Sequence, residues 1–169
     1  MTGPVSRRRV RAAGAADLPA IRRIYNEGIA DRQATLESEP KTAAEIDAWF
    51  ARHTGRCAVL VAEEDGGVAG WASLAPFSHR CAHAGIADVS IYVARERRGC
   101  GIGTTLLTAL EDAARAGGFH KLVLHALDRN APAKHLYRKA GFSQVGVFAE
   151  HGILDGRYED VVAMEKLLR

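Results

Sequence analysis

The sequence predicts an α/β protein folded as one domain, and three observations carry the prediction. Segments with strand and helix periodicity alternate along the whole chain in the order β, α, α, β, β, β, α, β, α, β, β. The Gly and Pro punctuation falls between these segments rather than in one linker, and no repeat or low-complexity tract interrupts them. A chain of 169 residues, 47% hydrophobic and 25% charged, can bury about 70% of its unfolded surface in a single core. The expected unit is therefore one domain over 1–169, ordered over about 7–169.

Each element has a local reason. Residues 9–13 make a short first strand, and Asp17 stands as the N-cap of a helix whose Leu18, Ile21, Tyr25 and Ile29 recur at helical spacing. The stretch ADRQATLESEP has no period and reads as a loop ending at Pro40, after which Ile46, Trp49 and Phe50 mark one face of a second helix over 42–53. CAVLVAEE and VAGWASLAPF flank Asp65-Gly66-Gly67 as a hairpin. A polar loop, FSHRCAHAG, leads into ADVSIYVA, whose β-branched residues suit a central strand. Ile102, Leu106, Leu107, Leu110, Ala113 and Ala114 define the best helix, which stops at Gly117-Gly118. KLVLHAL is a buried strand. Asn130 then caps a short helix with Pro132 in its first turn and Ala133, Leu136, Tyr137 and Ala140 on its apolar face. The remainder alternates around Asp155-Gly156 as a terminal hairpin.

Composition excludes several function classes. Twenty-three basic against 20 acidic residues give a net charge of +3, far below the basic surplus of a protein that lives on nucleic acid. No apolar run reaches the roughly 20 residues that cross a bilayer, and the arginine-bearing start has no apolar stretch behind it, so a cytoplasmic protein with no membrane partner is expected. Cys57, Cys81 and Cys100 are odd in number and form no C-x-x-C pair, which argues against a disulfide framework or a zinc ribbon and for a reducing compartment. The seven histidines, among them His83 and His125, show no ligand spacing, and no metal is expected.

The most informative segment is RGCGIGT, residues 98–104, between the best strand and the best helix. Several backbone N–H groups can converge there on an anion, with the helix dipole behind them. The glycines at 99, 101 and 103 do not fit a dinucleotide fingerprint, and the Gly-Lys-Ser/Thr of a P-loop is absent. Taken alone, the turn is either a phosphate cradle or a tight strand-to-helix turn with glycines for close packing.

Arg98-x-x-Gly101-x-Gly103 before an amphipathic helix resembles the acetyl-CoA signature Q/R-x-x-G-x-G/A of the GNAT superfamily of N-acetyltransferases, and NAPAKHLYRKAGF resembles that superfamily's second cofactor motif. The likeness extends over the chain. IYNEGI with ATLE, PF-x-x-R, D-x-S-I-Y-V and HG-x-x-DGRYEDV resemble the phosphinothricin acetyltransferase subfamily, including its arsinothricin-acetylating relatives. The resemblance implies a mixed, mostly antiparallel sheet with a splayed central strand pair flanked by helices. It implies acetyl-CoA as co-substrate, a small-molecule amine as acceptor, and a homodimer, which the aromatic-bearing terminal hairpin also suggests.

Acetyl transfer from a thioester to an amine needs a diphosphate cradle, a neutral amine, a donor for the tetrahedral oxyanion and a proton for the leaving thiolate. The resemblance places the cradle at Arg98, Gly99, Cys100, Gly101, Ile102, Gly103 and Thr104, and the pantetheine contacts and oxyanion donor on the main chain of Ile91, Tyr92 and Val93. Asn130 serves as a helix cap and a cofactor contact together. Asp88 stands where the subfamily carries a glutamate general base, and a carboxylate one methylene shorter can work through a bridging water. Tyr137 stands where many members place the tyrosine that protonates the thiolate, although the subfamily often has histidine. Cys100, at a helix N-terminus, has the setting of a nucleophile, but direct transfer needs no acyl-enzyme, and it reads as a filler where relatives carry Lys or Arg. For the acceptor, the resemblance assigns Glu37 to an ammonium, Arg80 to a carboxylate or phosphinate, and His83 to the position where the family favours Tyr. The family also favours Phe where Leu36 stands and two arginines where Ser78-His79-Arg80 stands. The expected reaction is acetylation of the α-amine of a small amino acid or analogue. The alternatives are a protein N-terminus or lysine as acceptor, or a non-catalytic acyl-CoA sensor.

Overall fold

The computed structural model describes residues 7–169; the first six residues of the arginine-bearing start lie outside the described residues. The elements are β1 (Arg8–Ala12), α1 (Leu18–Ala30), α2 (Ala43–Ala51), β2 (Val59–Glu64), β3 (Gly67–Pro76), β4 (Ile86–Val93), α3 (Ile102–Ala116), β5 (Lys121–Leu127), α4 (Ala131–Lys139), β6 (Ser143–Leu154) and β7 (Arg157–Leu167), with short 3-10 turns at Ala15–Asp17, Cys81–His83 and Arg95–Arg97. The element order is the one expected.

The seven strands form one sheet in the order β1-β2-β3-β4-β5-β7-β6. Every neighbouring pair is antiparallel except β4 and β5. That parallel pair has only three rungs, Ile86 to Lys121, Ala87 to Leu122 and Asp88 to Val123. Beyond Asp88 the two strands part, while β4 stays paired with β3 as far as Val93 and β5 stays paired with β7 as far as Leu127. A wedge therefore opens inside the sheet.

Because side chains alternate along a strand, each face of the sheet has its own core. Leu106, Leu107 and Leu110 of α3 are at most 1% exposed and pack with Leu74, Leu122, Leu124 and Met164 on one face. At about 1.5–3 kcal/mol per buried aliphatic side chain, this helix is the main clamp on the sheet, and Leu106→Ala is expected to cost about 2–5 kcal/mol. On the other face Ile21 and Ile24 of α1 pack with Val61 and Trp71.

The ends of the helices follow capping chemistry. Thr42 accepts from the Glu45 N–H at 3.2 Å while Glu45 accepts from the Thr42 N–H at 2.7 Å, which starts α2. Asn130 accepts from the Ala133 N–H at 3.2 Å and starts α4. The C-termini of α3 and α4 close in the same way: Gly118 donates to Arg115 and Phe119 to Ala114, and Gly141 donates to Arg138 and Phe142 to Tyr137. The end of α4 is also tied down by Lys166, whose Nζ donates to the Ala140 carbonyl at 2.6 Å and to both Glu111 oxygens at 2.8 Å.

One expectation about capping needs correction. Asp17 adjoins α1 but its carboxylate caps no N–H of that helix. It accepts from the Gly14 N–H at 2.8 Å and takes two bonds from Arg11, at 2.7 and 2.9 Å, while Arg11 also reaches Glu63. A guanidinium fork one strand away outcompetes the local cap, and it holds the Asp17 carboxyl below the usual aspartate range.

Candidate active site

The wedge after Asp88 opens into a cleft of about 490 Å³, lined by Ile91, Tyr92 and Val93 on one side and by Asn130, Pro132, Ala133 and Leu136 of α4 on the other. Its base is the turn into α3, where Arg98, Gly99, Gly101, Ile102, Gly103 and Thr104 all line it. The glycines do different work. Gly99 and Gly101 sit at φ 74° and 83°, in the left-handed region, so the turn can point successive main-chain groups at the cleft. A Cβ on Gly103 would lie 3.0 Å from Leu136, so that glycine lets α3 approach α4. Close packing thus accounts for Gly103, while Gly99 and Gly101 leave the main chain free to form a cradle.

This cradle suits a diphosphate: it sits at the N-terminus of a fifteen-residue helix, with Arg97 and Arg98 in the lining. Two straps hold it. Asp31, at the end of α1, pairs with Arg98 at 2.6 Å and with Arg95 at 2.7 Å, and Arg8 donates to the Cys100 carbonyl at 2.8 Å while pairing with Glu64. Cys100 itself does not line the cleft. Its side chain is exposed and lies 3.7 Å from the Arg98 carbonyl, because the turn projects it outward.

Asp88 sits at the last rung before the strands part. Burial pushes its carboxyl above the usual aspartate range, with His125 and the Val89 N–H pulling the other way. Tyr137, 6% exposed on α4, stacks edge-on against Phe142. Burial keeps its phenol protonated far above the ordinary tyrosine range, and the neighbouring charge of Asp88 adds to this. The structure thus brings the two expected proton-transfer groups into one electrostatic neighbourhood, although they are 49 residues apart in sequence.

A second cavity, of about 350 Å³, lies on the face covered by α1 and α2. Tyr25, Trp49, Trp71 and Tyr92 form its aromatic wall, with ring centroids of successive pairs 4.8 to 5.9 Å apart. Tyr92 lines both cavities. Of the three expected acceptor residues, Glu37 lines this cavity but is paired with Lys41 at 2.9 Å. Arg80 and His83 line neither cavity. They lie in the loop before β4, with Arg80 exposed and His83 held by Ser78 at 2.6 Å and packed edge-on against Phe77. Asp31, Trp71 and Ser90 were not singled out by sequence reasoning, and Trp49 only as a helix-face residue. The ion-pair partners of Asp31 and the ring partners of Trp71 lie tens of residues away, and no local pattern marks them.

A main-chain anion cradle that opens into a fork between parallel strands is the geometry a CoA thioester requires, and it places the chain among the CoA-dependent acyltransferases. Residues 21–142 match the model of the acetyltransferase (GNAT) family, and the chain belongs to that family: it is an N-acetyltransferase whose acetyl donor is acetyl-CoA. The chain is 36% identical to an L-methionine sulfoximine/L-methionine sulfone acetyltransferase of Pseudomonas paraeruginosa, with 92% of each chain covered. Among solved structures it is similar to a GNAT superfamily phosphinothricin acetyltransferase from Sinorhizobium meliloti in complex with acetyl-CoA (33% identity, TM-score 0.89, 95% of this chain and 88% of that one). It is also similar to a ribosomal-protein-alanine N-acetyltransferase from Brucella melitensis (34% identity, TM-score 0.90, 94% and 98% covered). No group of metal-ligating side chains occurs among the described residues, and none of their helices is long and apolar enough to cross a membrane.

Proposed function

We propose that the chain acetylates the α-amine of a small amino acid or amino-acid analogue by direct attack, with Asp88 as general base and Tyr137 as general acid. What supports this reading is Asp88 at the last rung before the strands part, with the buried Tyr137 near enough to feel its charge. A carboxylate made more basic by burial is suited to take the ammonium proton, directly or through a water, and a phenol kept neutral by burial is suited to protonate the departing sulfur. In this reading Ile91, Tyr92 and Val93, the 98–104 turn and Asn130 bind the donor, while Arg80 steers an acidic group of the acceptor from the mouth of the loop.

The relative's methionine sulfoximine and sulfone, and the neighbour's phosphinothricin, support an amino-acid analogue as acceptor. The Brucella neighbour favours a second reading, in which the acceptor is the α-amine of an alanine-headed peptide. The two are separated by measuring CoA release for methionine sulfone, methionine sulfoximine, phosphinothricin and an alanine-headed peptide side by side. Higher kcat/KM for an amino-acid analogue supports the first reading; a peptide better than every analogue replaces it with the second. Release with none of them, despite CoA binding, favours a sensor.

We further propose a homodimer through the terminal hairpin, where Val145, Ile153 and Tyr158 are each about 60% exposed. Light scattering at micromolar concentration that finds only the 18.2 kDa species removes it.

A further inference from the structure

We propose that Arg8 is a positioning residue for the acetyl donor: by holding the Cys100 carbonyl from outside the cleft, it turns the Gly101 N–H inward, toward the diphosphate of CoA. This rests on the donor reading of the 98–104 turn given above and adds the side chain that orients it.

The turn does not fix this orientation by itself. The peptide between Cys100 and Gly101 can swing about the two bonds that flank it, and glycine puts up little steric resistance to that swing. Gly101 stands at φ 83° as the N-cap of α3, and its own carbonyl accepts from the Thr105 N–H at 3.1 Å. The Cys100 carbonyl lies one residue ahead of that bond, and Arg8 Nη2 donates to it at 2.8 Å. A trans peptide points its C=O and N–H in opposite directions, and no cis peptide occurs among the described residues. Gly101 lines the cleft, whereas Arg8 and Cys100 are not among the lining residues. With the carbonyl tied on the outer side, the N–H of the same peptide is left facing the cleft. A cationic donor on the carbonyl also polarises the peptide, which strengthens its N–H as a donor.

The guanidinium is itself held in place. Arg8 and Glu64 stand directly opposite each other in the β1/β2 register, and their side chains meet at 2.9 Å. Arg8 Nη1 lies 3.5 Å from Thr105 Oγ1, which donates to the Gly101 carbonyl at 3.0 Å. Glu64, 7% exposed, gives its other oxygen to Arg97 at 3.2 Å, and Arg97 lines the cleft. One buried carboxylate thus anchors two arginines of the cradle. An ion pair that only fastened the edge of the sheet would be complete with Arg8 and Glu64; the bond to Cys100 carries it on to a peptide of the turn.

The test follows the Gly101 amide resonance by NMR, with isotope-labelled glycine, as CoA is added, and measures affinity by titration calorimetry. In the wild type that amide is expected to move downfield when CoA binds. Arg8→Met keeps the apolar stem and removes the donor; it is expected to weaken CoA about tenfold and to lose at least half of the Gly101 shift at saturating CoA. Arg8→Gln, too short to reach the turn, carries the same expectation and takes the place of the methionine variant if that one does not fold. Arg8→Lys returns a donor within reach of the carbonyl and is expected to recover affinity to within about threefold, together with the shift. If affinity falls but the Gly101 amide moves at saturation as it does in the wild type, Arg8 only stiffens the fold and the inference is overturned. Unchanged affinity overturns it as well. Failure of the donor reading looks different, because the Gly101 amide then stays in place when CoA binds to the wild type, and the inference falls with it.

Discussion

The two cavities that meet at Tyr92 are made by different means. The cofactor cleft is built around main chain: the turn from Arg98 into the first residues of α3 forms its base, and two of its glycines adopt backbone angles that side chains rarely allow. The cavity on the α1/α2 face is a side-chain structure, assembled from α1, the 31–42 loop, α2, β3 and β4. A site made of backbone imposes itself on a short run of sequence and tolerates little change there. A site made of distant side chains imposes no local pattern and can be altered one wall at a time.

The largest expected effect falls where the two sides join. Asp88→Asn is expected to lower kcat by about 10²- to 10⁴-fold, with Tyr137→Phe toward the lower end of that range, and neither should alter CoA affinity measured by titration calorimetry. Loss of CoA binding in either variant would move that residue from the fork into the cleft. The wild-type rate should also fall on the acid side at a pH above that of an ordinary aspartate, because burial raises the Asp88 carboxyl.

Next comes a contrast inside the cradle. Gly101→Val forces a β-branched residue to φ 83° beside the Arg8 guanidinium, 3.3 Å from the new Cβ, and is expected to weaken CoA binding at least tenfold. Cys100→Ala, one residue away with its side chain turned out, should leave affinity within about twofold. Equal effects would mean that the turn binds through its side chains. On the acceptor side, Arg80→Ala is expected to raise KM severalfold for acidic acceptors while KM for acetyl-CoA stays put.

The smallest effect concerns stability. A carboxyl whose pKa is raised by folding favours the folded state when protonated, and that contribution is lost as pH rises through the raised value. Asp88→Asn should therefore melt a few degrees higher than wild type at pH 7.5, with the gap closing as pH falls through the raised value. A lower melting temperature at pH 7.5 would mean that the charged carboxylate is a structural partner rather than a strained functional group.

The fold was legible because its information is local. The periodicity of Leu106, Leu107 and Leu110, the caps at Thr42 and Asn130, and the Asp155-Gly156 turn each specify an element from neighbours in sequence. The cradle was legible for the same reason, and Asp88 and Tyr137 were reached through resemblance rather than pattern. Where side-chain partners decide, pattern reasoning fell short. Asp17 looks like a cap until Arg11 takes its carboxylate, Glu37 looks free until Lys41 pairs with it, and Cys100 shares the cradle's sequence but not its inner surface. Asp31 and Trp71 carried no signal, because an aspartate at a helix end and an aromatic residue in a strand are ordinary in isolation.

The three rungs between β4 and β5 have a consequence for the life of the molecule between turnovers. A sheet with an interior slit carries an unprotected strand edge in its middle, the kind of edge that proteins otherwise cover. An extended donor molecule lying in that slit is a missing strand as well as a reagent, and it ties together halves that otherwise share a short hinge and the packing of α3. Amide protons of residues 89–93 should exchange more slowly when CoA is present, and proteases should cut the loaded chain less readily. A cell that keeps CoA well above its dissociation constant thus keeps the protein splinted, and depletion of the cofactor exposes the chain to turnover before any acceptor is consulted.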